Sequence, residues 1–385
     1  MTPSVTVYEK RNSFHEMHHA KGDTTPEAQT ERALRVLKSE TISMLSKAQE
    51  SVLSMVEEAL QSDSPDNGGT FSITPFVADE MHLLSDDEIP YYLYHRFRYD
   101  QFPLRRELDD YPPYLQIEPS SICNYRCVFC YQTDASFSDK KSQHMGSMSL
   151  DLYKRIVDEA EGNIEFISLA SRGEPLVCKD FTKMMEYSIG KFLNLKINTN
   201  ASLMTETHCH ALLCGGARTV VFSADAAEEP LYSQLRVNGK LNRVLRNIER
   251  FQKIRETQYS KTKIISRVSG VLVDEAQNMK AMQKLWDGLV DQISFVKYNP
   301  WENVYNSPFS HVTQACSDLW RRMFIWFDGT VNPCDTDYKS KLSIGDLNGS
   351  SISKYWKGNE YQTLRNKHEQ GKRKGVSPCN RCIVV

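Results

Sequence analysis

The chain has 385 residues, enough for two domains or one large domain with extensions. Lys plus Arg number 47 against 49 for Asp plus Glu, a net charge of −2, so no global field favours nucleic acid or an anionic membrane surface. No apolar run approaches the ~18 residues of a membrane span, and Met1–Lys10 shows no apolar secretory core. The expected location is therefore the cytoplasm, where ten cysteines stay reduced.

Residues 1–110 are the least informative part and read as a partly helical N-terminal extension. Ala33, Leu34, Val36, Leu37, Ile42, Leu45, Ala48, Val52, Leu53, Val56 and Leu60 recur at helical spacing, so one or two amphipathic helices are expected over 27–60. The stretch from Ser62 to Gly69 is rich in Ser, Asp, Pro and Gly and reads as a loop. Tyr91–Tyr99 interleaves aromatic and basic residues; the expectation is a packed lid or strand over the main domain, ahead of a nucleic-acid or substrate surface.

From residue 114 a strand–helix rhythm begins. Strands are expected at Tyr114–Ile117, Ile164–Leu169, Leu193–Ile197, Thr219–Phe222, Ile264–Val273 and Ile293–Val296. Helical patterns lie between them at 149–161, 179–190, 204–214, 240–257 and 275–289. This alternation implies parallel β/α units, with ligands at the loops after the strands.

Cys123, Cys127 and Cys130 follow the first strand with the spacing C-x-x-x-C-x-x-C. Thiolates are the ligands of iron–sulfur clusters, and three of them leave one iron of a four-iron cube open to a substrate or cofactor. Zinc sites and disulfide frameworks usually pair one C-x-x-C with another or with histidines. With the segments that follow, the chain resembles the radical S-adenosylmethionine (radical SAM) superfamily. The resemblance implies an α/β fold, a partial (β/α)6 TIM-like barrel over 111–305. It also implies a 4Fe–4S cluster on these cysteines and S-adenosylmethionine (SAM) on the open iron.

After the second strand, Gly173-Glu174-Pro175 is similar to the family's G-G-E-P segment, which holds the SAM ammonium. Arg172 replaces its first glycine and is expected to bring charge toward a substrate. Asn198-Thr199-Asn200-Ala201 resembles a T-N-G pattern, with alanine for glycine, and Ser223-Ala224-Asp225 resembles a segment near the SAM ribose. Taken alone, such strand-end polar residues equally suit helix caps. The resemblance further places Arg236 at the SAM carboxylate, with Arg267 a second candidate, and Phe129 and Tyr131 at the adenine.

Cys316, Cys334, Cys379 and Cys382 resemble the beginning of a SPASM extension in its shorter twitch form. This implies a small C-terminal α+β unit over 306–385 with one auxiliary 4Fe–4S cluster. A four-cysteine zinc site has the same ligand set. A hairpin with its turn at Asp328-Gly329 is expected to present Cys334 beside Cys316. Tyr298, Trp301 and Glu302 lie on the linker between the two sites and suit a polar substrate, or simple interdomain packing. Cys178, Cys209 and Cys214 read as single thiols, Thr207–His210 as part of a helix, and Lys372–Lys374 as a solvated run.

The implied reaction is reductive SAM cleavage followed by hydrogen abstraction, with a flavodoxin- or ferredoxin-type electron donor. An auxiliary cluster favours net oxidation, as in family members that oxidise a secondary alcohol of a cyclitol, so a sugar- or aminocyclitol-like substrate is expected. Modification of a ribosomal peptide is the alternative, although 1–110 show no winged-helix pattern. Epimerisation would need a hydrogen donor, with Cys178 the first thiol to test. From another class, the chain could be a non-catalytic metal-binding module.

Overall fold

The computed structural model describes residues 7–9, 14–19, 24–39, 46–62, 70–273 and 275–385. The expected loop over 63–69 and the positions Ile42 and Leu45 lie outside them. Six parallel strands form the centre: β2 (Tyr114–Ile117), β4 (Phe166–Leu169), β5 (Asn194–Thr199), β6 (Ala217–Ser223), β8 (Ile265–Leu272) and β9 (Gln292–Lys297). Two short strands, β3 (Arg126–Cys127) and β7 (Arg236–Val237), pair apart from this sheet. Among the described residues the main sheet runs β9-β8-β6-β5-β4-β2, each neighbour parallel.

Alternation along the strands sorts the side chains into two populations. Leu115, Ile117, Ile167, Leu169, Leu195, Ile197, Val220, Phe222, Val268, Ile293 and Phe295 join one core with the outer helices. The helix Leu150–Ala160 shows how it closes: Ser149 caps it by accepting from Leu152 N at 3.2 Å, and Leu152, Tyr153, Ile156, Val157 and Ala160 bury one stripe. The alternate strand positions, including Gln116, Ser168, Lys196, Thr219, Arg267 and Ser294, turn to the inner face. Parallel sheets in such folds are usually apolar on both faces. This one is polar inside.

The sheet does not stop at the barrel. The C-terminal strand β10 (Arg322–Ile325) pairs in parallel with β2, then β11 (Thr330–Asn332) and β12 (Gly345–Asp346) follow antiparallel. The hairpin expected around Asp328-Gly329 is present, with Gly329 at φ 93°. At the opposite edge β1 (Phe14–His19) pairs antiparallel with β9. Its sequence, FHEMHH, offers no apolar alternation, and nothing in the sequence reading marked it.

Helices α1 (Pro26–Leu37), α2 (Lys47–Gln61), α3 (Pro75–His82) and α4 (Ile89–Arg105) build a second core. The stretch Tyr91–Tyr99, expected as a lid or strand, is the centre of α4. Its aromatic residues favour strands locally. Burial on nearly all sides, with Tyr92, Leu93, Tyr94, Phe97, Arg98 and Tyr99 enclosed, selects the helix instead. This helix closes the barrel at the N-terminal ends of its strands. His95 stacks on Phe166 at 3.6 Å, Tyr99 meets Tyr114 edge-on at 5.9 Å, and Arg98 pairs with Glu165 at 3.3 Å.

Phe166 belongs to the barrel by sequence and to the helical core by packing. Its truncation to alanine should lower stability by about 3–5 kcal/mol. Urea unfolding of wild type and Phe166→Ala measures this; an unchanged midpoint would mean that the floor contact is dispensable.

Candidate active site

The cysteine loop begins where β2 ends. Gly146 N donates to Ser121 Oγ at 2.8 Å, and Ser120 Oγ and Ser121 Oγ both donate to Gly146 O, which fixes the approach to Cys123. Cys127 lies in the short β3–β7 ladder opposite Arg236, and Cys130 N donates back to Cys127 O at 3.0 Å, closing a turn. The loop thus carries its three thiols on a backbone tied at both ends. Burial raises the pKa of all three; beside Glu174, Cys123 is pushed up to about 12. Such thiols stay protonated until a metal displaces the proton.

Two neighbouring strand ends are stitched to this loop. A Cβ on Gly173 would lie 2.4 Å from Ser120 O and 2.6 Å from Ile122 O, so only glycine allows the close approach. Glu174 N donates to Ile122 O at 3.0 Å, and Gln132 Nε2 donates to Ser121 O and Arg172 O. The Glu174 carboxylate, 2% exposed, accepts from Thr199 Oγ1 at 2.6 Å, Asn200 N at 2.8 Å and Leu176 N at 3.1 Å. Burial pushes its pKa up, and those donors oppose the shift. Asn200 Nδ2 reaches Asn124 Oδ1 at 3.0 Å, and Asn124 Nδ2 reaches Ser202 Oγ at 2.8 Å. Pro175 starts the single turn after Glu174.

Arg236 stands on the other side of the loop. Its Nε pairs with the fully buried Asp225, its Nη1 approaches Cys127 Sγ at 3.8 Å, and its guanidinium lies 5.6 Å from the Phe129 ring. Asp225 also accepts from Val271 N at 2.7 Å. Ser223 ends β6 two residues earlier, half-buried. Arg267, the second candidate cation, is buried lower in β8 and donates from Nε to Gln292 Oε1 at 2.8 Å.

Arg172 corrects the sequence expectation. It is 2% exposed, and its fork is taken by Glu118, with Nε to Oε2 at 2.8 Å and Nη2 to Oε1 at 2.7 Å. Nη1 donates to Tyr338 O at 3.0 Å, and the guanidinium sits 4.2 Å from the Trp326 ring. Three of its N–H donors are held by the protein, so this buried side chain joins the barrel to the C-terminal unit.

The linker residues gather over the loop. Trp301 Nε1 donates to Phe129 O at 3.0 Å, and its ring meets Tyr131 at 5.8 Å. Tyr131 stacks on Tyr338 at 4.8 Å and donates its hydroxyl to Ser171 O. Tyr298 packs with Tyr125, Cys127 and Phe129 and donates to Glu302 Oε1, while Glu302 Oε2 is buried without a partner.

In the C-terminal unit, Cys316 is buried and Cys334, Cys379 and Cys382 are half-buried, all as free thiols. Cys379 feels both Cys382 and Cys316, and Tyr361 feels both Cys334 and Cys316, which places the four in one neighbourhood. The sequence reading missed the residue that assembles them. Arg373, 1% exposed, donates to Gln314 O at 2.8 Å, Cys382 O at 3.1 Å, Val384 O at 3.1 Å and Cys379 O at 3.4 Å. It lies inside the Lys372–Lys374 run that reads as solvated, and only its neighbours in space distinguish it. His368 accepts from Cys316 N at 3.2 Å and is pushed down to about 3 by burial and by Arg373, so it is neutral.

Among the described residues no three His, Cys, Asp or Glu side chains are close enough to hold a single metal ion. Cluster thiolates each bind a separate iron of the cube and need not converge on one point. Three thiols on one rigid loop, a donor from Arg236 on one of them and a glycine-only approach beside them fit a cluster with an adjacent cofactor. Four neighbouring thiols, two of them braced by Arg373 through the Cys379 and Cys382 carbonyls, fit a second.

Two variants separate these roles. Arg172→Ala leaves Glu118 buried without its counter-charge and should cost about 3–5 kcal/mol of stability before any cofactor is loaded; an unaffected apo-protein would restore a substrate role. Arg373→Ala frees four carbonyls around the second thiol set and should lower reconstituted iron by about four per chain while the SAM-site cluster signal persists. Equal iron in wild type and variant would remove Arg373 from the assembly.

Comparison with known proteins agrees with this geometry. The family profile described as the radical SAM superfamily matches residues 117–265, and one described as an iron–sulfur cluster-binding domain, SPASM, matches 316–383. A GTP 3',8-cyclase of Clostridium botulinum is 28% identical over 144 residues, 36% of this chain and 42% of the relative. A cofactor-modifying protein for the tungsten-containing aldehyde ferredoxin oxidoreductase of Pyrococcus furiosus is 32% identical over 114 residues, 29% of this chain and 30% of the relative. The matched region thus spans less than half of either relative. The crystal structure of Streptococcus suis SuiB bound to precursor peptide SuiA covers 88% of this chain and 83% of its own, at 15% identity and a TM-score of 0.53. SuiB bound to S-adenosylmethionine gives a TM-score of 0.52 at the same identity and coverage, a likeness of fold. The chain therefore carries a radical SAM domain over 117–265, which implies a 4Fe–4S cluster and SAM, followed by a SPASM domain over 316–383, which implies auxiliary iron–sulfur clusters.

Proposed function

We propose that this protein oxidises a hydroxyl-rich small molecule, of the sugar or aminocyclitol kind, by removing hydrogen from a carbinol carbon. The observation that carries the reading is the polar inner face of a barrel closed below by α4, a chamber suited to a small polar guest. When bound, the barrel cluster supplies one electron for reductive cleavage of SAM to methionine and a hydrogen-abstracting 5'-deoxyadenosyl radical, and the auxiliary cluster supplies an electron sink. The balance is complete: the carbon loses a hydrogen atom, the hydroxyl loses a proton, one electron leaves, and a ketone remains.

The residues take the following parts in this reading. Cys123, Cys127 and Cys130 hold the barrel cluster, and Cys316, Cys334, Cys379 and Cys382 hold one auxiliary cube. Phe129 and Tyr131 flank the adenine. Gly173, Glu174 and Asn200 frame the SAM amino group, Ser223 and Asp225 the ribose, and Arg236 the carboxylate. Glu302 Oε2, buried and unpaired beside Tyr298, takes the hydroxyl proton. Val128 and Val237, 46% and 39% exposed next to the loop, offer an apolar surface to a flavodoxin- or ferredoxin-type donor.

A peptide substrate is the second reading, favoured by a fold that SuiB, crystallised with its precursor peptide, shares over 88% of this chain. Here the N-terminal residues 26–105 are four helices, without a sheet among the described residues to which a leader would add. Epimerisation through Cys178 has less support. That thiol is 3% exposed, packs in the helix-side core and points to Met148 O at 3.8 Å.

Anaerobic reconstitution should load about eight irons with matching sulfide, two cubes, and dithionite should then yield 5'-deoxyadenosine from SAM. A responsive polyol deuterated at the carbinol carbon should transfer its label into that product, and alanine at Cys123, Cys127 and Cys130 should abolish it. Zinc without sulfide refutes the enzyme; stimulation by peptides alone replaces the small-molecule reading.

A further inference from the structure

The inner face of the barrel holds a cation that the site above does not use. Lys196 lies in β5 between Leu195 and Ile197, both packed on the helix side, so its side chain faces the lumen. It precedes Asn200 by four residues, which places it about 13 Å below the strand end at ~3.3 Å per residue. Across the sheet it pairs in register with Ser168 and Thr219. Among the described residues no carboxylate forms an ion pair with it. Burial, and the charges of Arg267 and Arg322, push its pKa down to about 7, with Glu80 acting in the opposite sense.

Its neighbours on the sheet carry unsatisfied atoms. Asn194 Oδ1 and Asn198 Oδ1, on the same face of β5, and Thr219 Oγ1 are buried without hydrogen-bond partners. Asn194 is 8% exposed and Thr219 2%. Asn194 and Thr219 also line a small cavity between the barrel and α3–α4, together with Glu80 and Tyr92. Buried polar atoms are nearly always paired, so a cluster of exceptions needs an occupant. Water can satisfy an amide or a hydroxyl. It does not supply the negative charge that a half-buried lumen ammonium without an ion-pair partner among the described residues lacks.

We propose that Lys196, with Asn194, Asn198 and Thr219, forms an oxyanion subsite in the barrel lumen that anchors a carboxylate or phosphate group of the substrate. The two amide oxygens accept from hydroxyls of the same molecule, so the ligand is a hydroxyl-bearing acid. The anion lies deep, and the carbon to be oxidised lies toward the cysteine loop. The word substrate rests on the proposed function; the anion subsite itself does not.

The test uses wild-type, reconstituted holoenzyme without turnover, so that its failure is separate from a failure to form 5'-deoxyadenosine. Acetic anhydride at pH 7.5 acetylates amines in their free-base form, and peptide mass mapping reports each lysine. Lys196 should react at least threefold faster than exposed lysines, which are ~0.1% unprotonated there. Inorganic phosphate or acetate should slow it at least threefold relative to chloride at matched ionic strength. Protection by phosphate alone assigns a phosphorylated ligand, and by acetate alone a carboxylate. Equal rates in all three salts, or no modification of Lys196, overturn the subsite.

Discussion

The site depends on one desolvated ion pair. Glu118, fully buried at the end of β2, receives two donors from the Arg172 side chain, the Arg172 backbone N–H at 3.1 Å and Phe327 N at 3.2 Å. Three of those donors lie on the loop after β4 and one in the turn between β10 and β11. The carboxylate therefore holds three chain segments at one point, directly beneath the cysteine loop. A buried pair of this kind contributes little net stability, because desolvation offsets most of the attraction. What it contributes is registry: any slip of the hairpin against the barrel strands a buried charge. The bidentate fork suits that task, since it fixes orientation as well as distance.

Backbone strain accompanies this pair. Ser171, just before Arg172, has φ 137°, a conformation side-chain-bearing residues rarely adopt, and its carbonyl accepts from Tyr131. Ala201 has φ 57°, where the resembled pattern carries glycine. Each departure costs on the order of 1–3 kcal/mol and persists only where surrounding bonds over-determine it. Ala201 is held by Thr199 Oγ1 on its N–H and Asn247 Nδ2 on its carbonyl. These two residues lie at the ends of β4 and β5, next to the segments bonded to the cysteine loop.

How much of this was legible in the sequence follows from the range of each signal. The six barrel strands and the helices between them rest on local periodicity and local caps, and the structure places them where the periodicity does. The cysteine spacing is equally local. Arg172 was misread because its partner Glu118 is 54 positions away and nothing near it in sequence announces the pair. Arg373 hid inside a basic run, where charge suggests solvent and only tertiary contacts show four carbonyls around it. Tyr91–Tyr99 read as strand-like because aromatic residues favour pleated surfaces, and enclosure between two cores overrode that preference. Segment β1 has its pattern completed by the edge of β9, where Met17 pairs with Ser294; the distant pairing, not its own composition, makes it a strand.

The inner face connects fold to chemistry. Had the lumen been filled by branched apolar side chains, as a closed barrel packs itself, the cysteine loop would cap a solid core. Instead Gln116, Ser168, Lys196, Asn198, Ser269 and Ser294 point inward while their neighbours along each strand pack under the helices. The stability lost by leaving that face polar is recovered outside it, in the helix-side core and in the aromatic floor where His95, Phe166, Tyr99 and Tyr114 stack. The N-terminal helices therefore have a role beyond extension. They seal the lower end of a polar chamber, so that a guest entering past the cysteine loop meets groups able to orient it and a floor that excludes bulk water.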